Sequence, residues 1–165
     1  MMPQLQDMAE VARRYCGLID SVFDADAGWL QQIARLLPRL HATVAALGEA
    51  ADDTEHTLVA DLDARFELFS HLRILLGERD SYWLEYDSCG EDGHGPTGSL
   101  ADDLTDIYCE LKYGLRLLDA TLDGDGEEQA RQGWIRGFRA HWGQHLVDAE
   151  RHLYALLARG QLTAA

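Results

Sequence analysis

The chain has 165 residues, 47% of them hydrophobic, which suits one folded domain. Twenty-nine acids against fourteen lysines and arginines leave a formal charge of −15. That sign disfavours nucleic acid and anionic membrane surfaces, because both are bound through Lys and Arg. Cys16, Cys89 and Cys109 are far apart and form no CxxC, so neither a disulfide framework nor a cysteine zinc knuckle is expected. The opening MMPQLQDMAEVARR has no basic start followed by an apolar run, and no apolar stretch reaches the length of a membrane span. These features predict a reduced, cytoplasmic protein.

Apolar residues recur at helical spacing along most of the chain. Met8, Ala12, Tyr15, Ile19, Val22 and Phe23 share one face and predict a first helix from about residue 4 to 23. Asp26 is placed to cap a second helix, in which Leu30, Ile33, Leu37, Leu40, Val44 and Leu47 step by three and four until Gly48. Pro38 lies inside this run and should kink the helix rather than end it. After the polar stretch GEAADDTEH, a third helix carries Leu62, Phe66, Phe69, Leu72 and Leu76 and closes at Gly77. Residues 78 to 98 form the one long irregular segment, aromatic in its first half and rich in Gly in its second.

Ser99 opens a fourth helix with Leu100, Leu104, Ile107, Leu111, Leu115 and Leu118 as its stripe. Ser99 and Asp102 have capping-box spacing. DGDG at 123 to 126 reads as a tight turn, since the following Glu127 and Glu128 break the calcium-loop pattern. A fifth helix then runs from about 127 to 158, bent by Gly133, Gly137 and Gly143, and Gly160 ends it. The architecture this predicts is all-α: a single antiparallel bundle of about five helices spanning residues 1–165, with one long aromatic and Gly-rich loop.

Two polar stripes run beside the core positions. Asp103, Asp106 and Glu110 are spaced i, i+3, i+7 on the fourth helix. On the fifth, His141, His145, Asp148 and His152 form a line about a quarter-turn from the apolar centre. If the two helices are antiparallel neighbours, imidazoles face carboxylates, a donor set that suits zinc, iron or manganese. Asp103, Asp106, Glu110, His141 and His145 are therefore candidate ligands of a divalent metal. A network of boundary hydrogen bonds explains the same residues and ranks ahead, because HWGQH lacks the glutamate of the HExxH zinc-protease motif. Tyr82, Trp83, Tyr86 and Asp87, in YWLEYD, are candidates for a ligand or partner loop.

The blocks YWLEYD, GSLADDLTDIYCELKYGL and HWGQHLVDAERHLYALL, with YCGLID and IARLLPRL upstream, resemble a bacterial family catalogued as domain of unknown function 5063. That resemblance implies a small helical bacterial protein and carries no functional residue. DDLTDI is similar to one half of the acidic arrangement of all-α nucleotide pyrophosphohydrolases, but the upstream ExxE partner is missing. A spaced histidine pair plus a lone histidine, His41 or His71, resembles the ligand set of DinB-like bundles. With no complete catalytic constellation, the leading expectation is a non-enzymatic module that contacts another protein. The alternatives are a metal-binding protein or metal-dependent hydrolase, and then a pyrophosphohydrolase-like enzyme.

Overall fold

In the computed structural model the described residues are 2–52, 54–58, 61–84, 98–120 and 125–163. Tyr86 and Asp87 of the aromatic loop, like Cys89 and the first half of DGDG, lie outside them. Six α-helices stand among the described residues: α1 (Pro3–Asp20), α2 (Trp29–Ala45), α3 (Leu62–Leu76), α4 (Leu100–Ala120), α5 (Asp125–Gly137) and α6 (Gly143–Ala158). A π-turn, Phe138–Trp142, joins α5 to α6, so the expected fifth helix is one rod with a bulge in it. The only strands described are β1 (Ser81–Tyr82) and β2 (Gly98–Ser99), paired antiparallel with Tyr82 opposite Gly98. The all-α bundle is the observed fold.

Helix α4 is the centre of the bundle and packs on α1, α3, α5 and α6, while α2 rests on α1 and α6. Its leucine stripe does this: Leu100, Leu104, Ile107 and Leu111 have no solvent exposure. Contacts between α4 and the last rod run in opposite order, 103 with 145 and 110 with 141, so the two are antiparallel. The N-terminus of α4 is capped from a distance. Buried Asp80 accepts from the Ala101 amide at 2.7 Å, and its carboxylate also takes the Ser99 hydroxyl. Ser99 Oγ accepts from the Asp102 amide at 3.3 Å, half of the expected capping box, but the Asp102 carboxylate is drawn away to Arg65.

Pro38 sits within α2, which runs on past it as expected. Two core expectations need correction. Helix α1 ends at Asp20, not 23; a 3-10 turn over Val22–Asp24 follows and leaves Phe23 62% exposed, with its ring against His71. On α3, Leu62 and Phe66 are 75% and 68% exposed, so they are not core. Apolar and polar residues are mixed around helix α3 with little segregation, which lets periodicity alone admit more than one inward face. Arg65 decides between them: its ion pairs with α4 turn Leu68, Leu72 and Leu76 inward.

The π-turn has a packing cause. At about 100° per residue, eight regular positions would set Trp142 about 80° round from Trp134; absorbing one extra residue cuts this to about 20°. Both indoles are thereby buried on one face, and Trp142 Nε1 donates to the Trp134 carbonyl at 3.2 Å. Gly143 closes the bulge. A side chain there would collide with the Phe138 carbonyl oxygen, which is backbone and cannot swing aside.

Candidate metal centre

Asp103, Asp106 and Glu110 emerge from α4 at the seam with the rod that carries His141 and His145, and all three acids are nearly buried. The two expected stripes do converge, but their members take different parts. His141 Nδ1 lies 3.1 Å from Glu110 Oε1, and His145 Nδ1 lies 2.9 Å from Asp103 Oδ1. The opposite nitrogens both turn to a single atom: Asp106 Oδ2 is 3.3 Å from His145 Nε2 and 3.8 Å from His141 Nε2. One donor atom from each of Asp106, His141 and His145 lies within 4.8 Å of the other two. Donors about 2.0–2.2 Å from a tetrahedral ion sit about 3.3–3.6 Å apart, and the two Asp106–imidazole separations lie at or near that range.

Each of these groups is held from behind. Arg65 Nε donates to Asp106 Oδ1 at 2.8 Å, which leaves Oδ2 to face the imidazoles. The Tyr82 hydroxyl donates to Asp103 Oδ2 at 2.6 Å. His56, from the irregular segment between α2 and α3, contacts both Glu110 oxygens, at 2.9 and 3.1 Å. Gly137 makes room for that pair: an added Cβ would stand 2.7 Å from Glu110 Oε2 and 3.0 Å from His56 Nε2. Tyr82 is itself fixed by His152, whose ring stacks on it at 4.6 Å and whose Nε2–H donates to the Arg79 carbonyl at 2.7 Å.

The electrostatics follow from burial and partners. Burial pushes the Asp103 carboxyl above its ordinary value, opposed by hydrogen bonds from His145 and Tyr82. For His145, burial alone would lower the pKa, and it is the largest single influence. The Asp103 hydrogen bond and the charges of Asp106, Asp103 and Asp102 together outweigh it and raise the group. Burial first, then the bond to Asp103, holds the Tyr82 phenol far above its usual range, so it remains a donor. Three buried carboxylates meet one guanidinium and three imidazoles at the seam.

Among the other sequence candidates, Trp83 is half exposed, and its carbonyl accepts from Arg151. Asp148 accepts from Gln144 on the outer side of α6. His41 pairs with Glu150, and His71 lies on Phe23, so neither supplies a third imidazole. Cys109 faces the groove between α1, α3 and α4 with Arg65, not the imidazoles. His56 and Arg65 went unrecognised in the sequence, because a single histidine in a polar linker and one arginine on a helix carry no spacing signal.

The sequence matches the family described as Domain of unknown function (DUF5063) over residues 1–159. No curated protein matches it. The fold is similar to the crystal structure of protein BF1032 from Bacteroides fragilis, with a TM-score of 0.76 at 20% identity over 93% of this chain and 92% of that one. Likeness at that identity shows the fold alone. No described helix is long and apolar enough to cross a membrane.

Proposed function

The chain belongs to the DUF5063 family, and we propose that it binds a divalent transition-metal ion through Asp106 Oδ2, His141 Nε2 and His145 Nε2. The observation that supports this is the paired backing of the imidazoles. Each directs Nδ1 at a buried carboxylate, Glu110 or Asp103, and Nε2 at the same Asp106 oxygen. A neutral imidazole that donates Nδ1–H to a carboxylate presents an unprotonated Nε2, which is the usual form of a metal-ligating histidine. A simple polar network needs only one such contact per ring. Mixed nitrogen and oxygen donors favour zinc, iron or manganese over calcium and magnesium, which take oxygen sets.

Elemental analysis of protein purified without an affinity tag, followed by calorimetric titration of the metal-stripped chain, tests the reading. One equivalent of ion per chain is expected, with binding lost in Asp106→Asn and in His141→Gln. Wild type and both variants taking up zinc with equal affinity would sink it. The carboxylates that a pyrophosphohydrolase would offer to Mg²⁺ are already engaged by imidazoles and Arg65, so that alternative draws no support from the geometry.

A protein-contact role is a second reading, supported by the exposed Leu62, Phe66 and Ile74 on the outer side of α3. Serine at all three positions should leave metal uptake intact and remove the proteins that co-purify with the chain from its native cells. An unchanged set of co-purifying proteins would count against it.

A further inference from the structure

We infer that an ion held at this centre keeps coordination positions for an exogenous oxygen donor of the carbonyl or monocarboxylate class, in the manner of a catalytic rather than a structural site. The inference rests on the metal-binding reading above and adds what the protein leaves open.

Among the described residues, the carboxylates beside the three ligands are already engaged. Asp103 spends Oδ1 on His145 and Oδ2 on Tyr82. Glu110 spends Oε1 on His141 and both oxygens on His56. Asp106 Oδ1 and Asp102 Oδ1 are held by Arg65. Three protein ligands remain among the described residues, and closed structural zinc sites take four, whereas catalytic ones take three and leave a place for water or substrate. The route to that place is open: the His141 side chain is 43% exposed and that of His145 is 22% exposed, although their carboxylate backing is buried.

Charge selects the class of donor. A divalent ion with one Asp ligand carries a single positive charge, which water, a carbonyl oxygen or a monocarboxylate satisfies. A multiply charged phosphate would meet Asp102, Asp103 and Glu110 close by, with Arg65 already turned to Asp106 and Asp102. The engagement of Asp103 and Glu110 also bars them from completing the shell without abandoning Tyr82 or His56.

Cobalt(II) substitution of the full chain tests this by visible absorption. Uptake of one Co²⁺ should give a ligand-field spectrum that shifts on adding acetohydroxamate, and at higher concentration acetate, with inorganic phosphate weaker than either. No shift with any of the three means that the protein closes its own shell and overturns the inference. Phosphate binding more tightly than acetohydroxamate overturns the assigned class. Failure to take up Co²⁺ at all defeats the metal-binding reading itself, a result distinct from a metal that binds but admits no ligand.

Discussion

Gly137→Ala should destabilise the protein although alanine is the better helix former. The position is helical, with φ −61° and ψ −41°, so the substitution by itself would gain about 0.8–1 kcal/mol. Against that gain, the new Cβ would stand 2.7 Å from Glu110 Oε2 and 3.0 Å from His56 Nε2. The Glu110 carboxylate is 1% exposed and held by two imidazoles, so it cannot move aside without giving up a charge-assisted hydrogen bond worth about 1.5–3 kcal/mol. The loss exceeds the gain, and a net cost of about 1–2 kcal/mol should lower the Tm by about 2–8 °C. Gly17→Ala is the matched control. It is an exposed helical glycine with nothing within 4 Å of its would-be Cβ, so there the same substitution should stabilise by about 0.5–1 kcal/mol. Thermal and urea denaturation of both variants in metal-free buffer measures the pair. If Gly137→Ala proves as stable as Gly17→Ala, Glu110 and His56 are not locked together as described.

Tyr82→Phe removes the 2.6 Å hydrogen bond to Asp103 while leaving the ring on His152; zinc affinity should fall about 10-fold or more, as for other groups that orient a ligand, and calorimetry reads it. Leu104→Ala empties a fully buried position at the centre of α4 and should cost about 2–5 kcal/mol by urea unfolding; a smaller loss would mean that the core there is not closely packed. His152 supplies a pH test. Burial, the largest influence, lowers its pKa despite the hydrogen bond to Arg79 and the nearby Asp103 and Asp80, so below pH about 6.5 the unfolded chain takes up a proton that the folded one resists. Its contribution to stability is therefore full above the unfolded value and shrinks as the pH falls. Metal-free wild type should lose more stability between pH 7 and 5.5 than His152→Gln, and equal losses would refute the assignment.

Helical content and the two polar stripes needed nothing but local geometry. A backbone repeating at about 100° per residue puts Asp103, Asp106 and Glu110 on one line and His141 and His145 on another, whatever surrounds them. The short connection between the two segments makes them neighbours, so their meeting was legible in the chain. The division of labour was not. That Asp106 faces both Nε2 atoms, while Asp103 and Glu110 stand behind the rings, depends on which partner reaches each carboxylate first. Those partners, Arg65, Tyr82 and His56, come from segments 21 to 54 positions away. The inward face of α3 and the extra residue at Phe138–Trp142 likewise answer to an ion pair and to two indoles, contacts formed only on packing. Periodicity is a property of a segment and can be read from it; pairing is settled by competition among distant groups for the same buried space, and only the folded chain resolves it.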